Sequence, residues 1–346
     1  MLGIDNRAAR VTWTVFFIAL LVWMGYTARG AILLFILAIF FAYLLAPVVE
    51  YLDSRTPRNV PHGLSLAAVY AVLISTLILG GISFGSKLSD QTSALLTRLP
   101  ELIQSQSLES QPLPGWLEPY RPRIIEAIRA QTKNSAQQIV PFLQNFGLKI
   151  ATLAGGALFF VLVPILSFFF LKDAREMRRN LLSFFFASPS HDALEEVLND
   201  LHLLLGKYIR ALVLLSGATF WSYLIFMEIF RVPYSALLAV LGAMLEFIPV
   251  VGPLTASVII LLVAAFSGFP HVLWILIFLA VYRIFQDYIL SPHLMSEGVE
   301  LHPLLVIFGV LAGEEVAGLW GMFLSVPFLA TMRVILVRFQ KGKLQT

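Results

Sequence analysis

The sequence predicts an all-α integral membrane protein with about eight transmembrane segments, broken or re-entrant helices in its C-terminal half, and a small extramembrane helical insertion. Three observations predict it. Hydrophobic residues make up 58% of the chain and charged residues only 13%, about half the charge that a water-soluble domain carries. Charge-free runs of roughly 20 residues recur, the length that crosses a bilayer core as a helix. In the C-terminal third, acidic residues and Gly- or Pro-rich turns interrupt that pattern at two places.

The first three spans fall at about Val11–Ala28, Gly30–Val49 and Leu64–Gly85, which makes residues 1–86 a unit of three transmembrane helices. The basic start resembles a signal peptide, but its apolar run is long and lacks a small-x-small cleavage site. It is therefore expected to stay as the first helix. Residues 87–149 read as an extracytoplasmic helical insertion. "SDQTSALLTRLPELIQ" and "PRIIEAIRAQTKNSAQQIVPFLQNF" carry apolar residues at helical spacing around the turn-rich "ESQPLPGWLEPYRP". Residues 150–171 form the fourth span.

Residues 172–207 read as cytoplasmic amphipathic helices. "KDAREMRRNLLSFFF" has a basic face and an aromatic end, suited to the membrane interface. "SPSHDALEEVLNDLHLLLGKYI" begins with Ser190 as N-cap and an acidic first turn. Its stripe of Leu194, Val197, Leu198, Leu201 and Leu205 leads into the fifth span, Ala211–Ile229. His191 and His202 are read as solvated or packed rather than as metal ligands. Residues 208–346 form a C-terminal core with broken helices. There Val232–Leu245 and Leu301–Gly313 are too short to span comfortably, and each is followed by an acid, a turn ("IPVVGP", "AGLWG") and a second apolar piece. A fuller segment, about His271–Tyr288, lies between them.

Orientation follows from Lys and Arg near the span ends. Arg7, Arg10, Arg55, Arg58, Lys172, Arg175, Arg178, Arg179, Lys207, Arg210, Arg333, Arg338, Lys341 and Lys343 all fall on one side if both termini are cytoplasmic. The expected location is the bacterial cytoplasmic (inner) membrane.

Several chemistries are excluded. There is no cysteine, so thiol catalysis and cysteine-ligated metals are absent. No H-E-x-x-H motif and no Walker A loop occur. A net charge of +3, spread along the chain, gives no nucleic-acid partner. The chain reads as a non-enzyme without cofactor, beyond a coupling proton or sodium ion.

The candidate site centres on "LEFIPVVGP", where Glu246, Pro249, Gly252 and Pro253 stand in an otherwise apolar stretch. Non-helical backbone at membrane depth is tolerated only where protein or a water-filled cavity satisfies it. Secondary transporters build midplane sites from such interruptions. A charge at a span centre costs on the order of 3 kcal/mol, so intramembrane acids are functional by default. A structural pairing of Glu246 with Arg283 is the second, less favoured reading. Arg283 and Asp287 share a helix face and can pair with each other. Glu314 and Glu315 are adjacent, so they point in different directions. His302 and Pro303 read as a helix start, and His62, His271 and His293 as solvated span edges. "GISFG" and "GVLAG" are read as close helix contacts.

The residues "KYIRALVL", "VPYSALLAVLGAMLEFIPVVGP" and "LSPHLMSEGVELHPLLVIFGVLAGEEVAGLWGMFLSVP" resemble the autoinducer-2 exporter family of bacterial permeases. The matching features are the turn of Ile248, Pro249 and Gly252, then Pro292, then the triplet Leu301, His302 and Pro303. The pair Gly318 and Gly321 and the closing Pro327 complete them. Ala211 and Leu212 stand where the family often has Gly-Gln, and the position of Glu246 is often polar or an amide in relatives. The resemblance implies an eight-helix secondary permease that forms homo-oligomers, and it favours Glu315 over Glu314 for the cavity. Three readings follow. The first is a permease exporting a small polar solute, such as an autoinducer-2-like signalling molecule. The second is a sodium/proton antiporter using an intramembrane carboxylate, and the third is a non-transporting membrane scaffold.

Overall fold

The computed structural model describes residues 6–57, 61–104, 118–120, 122–123, 126, 157–185, 191–294 and 301–343. Among them the regular elements are all helical. Six stretches are long and apolar enough to cross a membrane: Arg10–Thr27, Arg29–Arg55, Gly63–Gly80, Glu195–Ile229, Val272–Leu294 and Leu319–Arg338. Most of the 87–149 insertion, the start of the expected fourth span, Ser190, Glu297 and Glu300 lie outside the described residues.

The chain divides into two compact units, residues 1–70 with 156–178, and residues 71–155 with 179–346. The first contains α1 (Asn6–Thr27), α2 (Arg29–Arg55), the opening of α3 (His62–Gln104) and most of α4 (Ala157–Phe185). On α2 the buried residues are Ala38, Ala42, Leu45 and Val49, a single stripe at helical spacing. The Tyr70 and Ser167 hydroxyls pair in the interior, and Phe35 meets Phe170 edge-on at 5.8 Å. On α1, by contrast, Trp13, Phe16, Phe17 and Trp23 are exposed. The basic stretch from Lys172 is the end of α4 rather than a separate helix.

The second unit is organised around α5 (His191–Ile229), one unbroken helix of 39 residues. The expected packing helix and fifth span are thus a single rod, about 58 Å long at 1.5 Å per residue. After it come α6 (Ser235–Leu245) and α7 (Val251–Phe266). Next is α8 (Val272–Phe285), which passes through a π-helical turn at Gln286–Leu290 into α9 (Ser291–Leu294). Pro292 cannot donate to the carbonyl of Tyr288, and a wide turn just ahead of a proline relieves that defect. The chain ends with α10 (Pro303–Ala317) and α11 (Leu319–Lys343).

Contacts along α5 act as a ruler. At its C-terminal end, Lys87 of α3 (2.5 Å) and Ser235 of α6 (2.7 Å) both donate to Glu228 Oε1. Nearby, Gln91 Oε1 accepts from the Leu237 N–H at 3.0 Å. That bond caps α6 from another helix, because its own N-cap, Tyr234, has φ +60° and makes no side-chain cap. Further down, Phe226 stacks on Phe278 of α8 at 3.9 Å, and Tyr223 meets Tyr282 at 5.3 Å. Ser216 then donates to the Ala243 carbonyl at 2.7 Å. Helices α6 and α8 therefore both run down α5 from its Ile229 end, and α7 has to climb back between them. The α6–α7 pair is a hairpin whose tip lies beside Thr219, ten residues or about 15 Å from that end.

From the other end of α5, Arg338 of α11 pairs with Asp200 (2.6 Å) and Glu196. Gly318, where α10 and α11 meet, is twenty residues before Arg338, and Thr219 is nineteen beyond Asp200. The α10–α11 hairpin thus rises to about the same level, roughly 30 Å along the rod. Phe247 at the first tip lies 5.6 Å from Phe323 near the second. The apolar core of this unit includes Leu238 and Leu241 of α6, Ile259 and Ile260 of α7, Ile275 of α8 and Val310 of α10.

The expected break between Val232 and Phe266 is present, from Glu246 to Val250. The second break falls inside the expected turn "AGLWG", at Gly318, and only the helix before it runs four residues past the expected Gly313. Helix α10 runs through Glu314 and Glu315 to Ala317, since glutamate is a good helix former. It stops at Gly318, whose φ of +59° and ψ of −140° only glycine adopts readily. His302 and Pro303 do start a helix: the His302 Nδ1 accepts from the Leu304 N–H at 3.2 Å. In "GVLAG" the close-contact reading holds, because a Cβ on Gly313 would fall 2.3 Å from the Gly321 carbonyl oxygen. At Gly85 of "GISFG" it does not, since a Cβ there meets nothing within 4 Å among the described residues.

Candidate functional site

Glu246 follows α6 at the tip of the first hairpin and is only 8% exposed. Its carboxylate is held from two helices. The Gln286 side-chain amide donates to Oε1 at 2.6 Å, and the Thr219 hydroxyl donates to Oε2 at 3.3 Å. Having given its proton to Glu246, Thr219 can only accept from the Tyr282 hydroxyl, 3.1 Å away. Arg283 places Nη1 3.6 Å from Oε1 while its Nε donates to Asp287 at 2.8 Å. The structure thus brings together Glu246, Arg283 and Asp287, all expected from the sequence. It adds Thr219, Tyr282 and Gln286, which were not.

Those three were missed because only formal charges were sought in the apolar run. A face-by-face reading finds two of them, Gln286 and Thr219. Arg283, Gln286 and Asp287 stand at i, i+3 and i+4, and Ser216, Thr219 and Tyr223 at i, i+3 and i+7. The π-turn begins at Gln286; such turns recur at functional sites.

The turn itself explains Pro249, Gly252 and Pro253. The Val251 N–H donates to the Pro249 carbonyl at 2.7 Å, closing a three-residue turn over Val250. Val250 has φ +66° and ψ −59°, a strained geometry for a β-branched side chain. Gly252 is the second residue of α7, and a Cβ there would sit 1.8 Å from the Leu245 carbonyl oxygen; Pro253 is buried in the same first turn. Replacing Val250, which is 40% exposed, with glycine removes strain of about 1–3 kcal/mol and adds about 0.5–1 kcal/mol of unfolded-chain entropy. Val250→Gly is accordingly expected to raise the thermal unfolding midpoint in detergent. A lowered midpoint would show that the turn is relaxed.

The remaining expected residues belong to the second tip. Gly318 and Gly321 shape it, while Glu314 and Glu315 are both exposed there. His271, His293 and His302 are exposed and stand apart from Glu246.

A carboxylate at a helix break, ringed by hydroxyl, amide and guanidinium groups, can bind a polar solute or an ion and can exchange a proton. A family model described as AI-2E family transporter matches residues 12–341. YrrI of Bacillus subtilis (strain 168), whose name proposes a transport protein, is 26% identical over 95% of this chain and 93% of its own length. YueF of the same strain, similarly named, is 24% identical over 87% of this chain and 84% of its own. PerM of Escherichia coli (strain K12), whose name proposes a permease, is 29% identical over 75% of this chain and 69% of its own.

Proposed function

The chain belongs to the AI-2E family of transporters, and from that premise we propose that it exports a small polar solute through the polar site at Glu246. The class of solute is that of an autoinducer-2-like signalling molecule, and the mechanism is secondary. The observation that carries this reading is one nearly buried carboxylate, at a helix break, held by neutral polar groups and faced by a cation.

In this reading α1 to α5 and α8 cross the cytoplasmic membrane. At about 16 Å and 24 Å, α6 and α7 are each shorter than the roughly 30 Å hydrocarbon core. They form a hairpin that re-enters from the outer face. The α10–α11 hairpin enters from the inner face, which gives about eight segments with both termini cytoplasmic. The two tips meet near the midplane, as in transporters built from inverted halves. The exposed apolar face of α1 packs against lipid and against further copies of the chain in a homo-oligomer.

A second reading is favoured by the ligand set. Carboxylate and hydroxyl oxygens suit a hard cation, so Glu246 with Thr219 also fits sodium/proton exchange. Flux in proteoliposomes separates the two, using a panel of polyhydroxylated and amino-acid solutes with and without proton and sodium gradients. Solute movement that persists without either gradient supports the permease. Sodium-driven proton movement without solute supports the antiporter. Silence on all arms would count against both.

A further inference from the structure

The Arg283 guanidinium stands between two carboxylates in unequal surroundings. On its exposed side Nε donates to Asp287 Oδ2 at 2.8 Å. On its buried side Nη1 lies 3.6 Å from Glu246 Oε1, near enough for attraction and too far for a hydrogen bond. That nitrogen is buried and finds no hydrogen-bond acceptor among the described residues. A buried donor left unmatched is uncommon and calls for a reason. Meanwhile the Glu246 oxygens are already engaged by Gln286 and Thr219. The groups around Glu246 are Thr219 and Tyr223 from α5, Tyr282 and Arg283 from α8, and Gln286 and Asp287 from the π-turn. Among the described residues, Arg283 is the one cation acting on it.

We propose that Arg283 is a tethered cation occupying the charge-compensating position of an entering ion at Glu246, and that Asp287 is a positioning residue that holds it partly withdrawn. This rests on the reading of Glu246 as the transport site. While the site is empty, the guanidinium offsets a carboxylate that would otherwise be buried unpaired. When a proton or alkali cation reaches Glu246, Arg283 keeps a full partner in Asp287, so neither charge is stranded. The gap at Nη1 is the signature of a side chain shared between two acceptors.

Dicyclohexylcarbodiimide tests this without a known solute, because it adds to protonated carboxyl groups at apolar depth. Full-length protein in liposomes is treated at neutral pH, and the adduct on Glu246 is read by peptide mass spectrometry per folded molecule. Removing the cation in Arg283→Gln should speed labelling about tenfold or more, since a nearby positive charge favours the unreactive anion. Asp287→Asn should slow it about threefold, because the guanidinium is then Glu246's alone. Asp287→Glu should restore the parental rate, which a merely structural role would not predict. Equal labelling across parent, Arg283→Gln and Asp287→Asn, or no labelling of Glu246 in any of them, overturns the proposal. Unchanged flux in Glu246→Gln overturns instead the premise that this is the transport site.

Discussion

Glu246→Gln is expected to remove ion coupling entirely and to weaken solute affinity by about tenfold or more, with assembly preserved. The magnitude follows from the lost charge. A hydrogen bond to an ionised group contributes about 1.5–3 kcal/mol, and 1.4 kcal/mol is a factor of ten. Preservation of the fold follows from the surroundings. Breaking a buried pair usually costs about 3–5 kcal/mol, because one charge is left uncompensated. Here Arg283 keeps Asp287, and it is 40% exposed, so most of that cost is avoided. The measurement is flux in proteoliposomes at several pH values beside purified yield. In an antiporter sodium-driven proton movement disappears. In a permease some solute flux survives with altered pH dependence. Collapse of yield with no other change would make Glu246 a purely structural partner of Arg283. A variant matching the parent in yield, flux and pH dependence would remove Glu246 from the site altogether.

The second large effect concerns the α10–α11 hairpin. Gly313 and Gly321 lie against each other backbone to backbone, and a Cβ on Gly321 would fall 1.8 Å from the Gly313 carbonyl oxygen. Backbone cannot step aside as a side chain can, so Gly321→Ala must splay the two helices, at about 3 kcal/mol or more. At Gly309 the obstacle is the flexible end of Leu329, 2.5 Å away, and alanine there should cost roughly 1 kcal/mol. Gly217 on α5 meets nothing within 4 Å among the described residues, so alanine should be neutral or stabilising by up to about 1 kcal/mol through helix propensity. Thermal unfolding of the three variants should rank in that order. Equal midpoints would mean that the hairpin is not tightly closed.

The break at Glu246 was legible because its cause is local. A proline, a glycine and a carboxylate within eight residues are signals that no neighbouring helix has to complete. The second break is legible for the same reason, in the turn "AGLWG"; only the end of the helix before it differs, because a helix carries Glu314 and Glu315 easily and Gly318 ends it. The arm of α3 that carries Lys87 and Gln91 was read as part of a separate insertion. It continues α3, and no sequence pattern shows that it caps α6 from 146 positions away. At the site, the charges were legible and the neutral groups were not. Thr219, Tyr282 and Gln286 are ordinary residues whose importance comes from meeting one carboxylate, and that meeting is tertiary. The π-turn left one trace in the sequence, Pro292.

The length of α5 has a mechanical consequence. Its 39 residues contain neither proline nor break, so the helix behaves as a stiff beam. Taking Thr219 as the fulcrum, the arm toward His191 is about 42 Å and the arm toward Ile229 about 15 Å, a leverage of nearly three. A tilt of about 5° shifts the short end by little more than 1 Å and the long end by nearly 4 Å. Arg338 grips the long arm at Glu196 and Asp200, so α11 swings with it. A small displacement at the Ile229 end, where Lys87 and Ser235 meet Glu228, is thereby magnified at the far end of the beam. A push delivered there returns to the Ile229 end geared down, with correspondingly greater force.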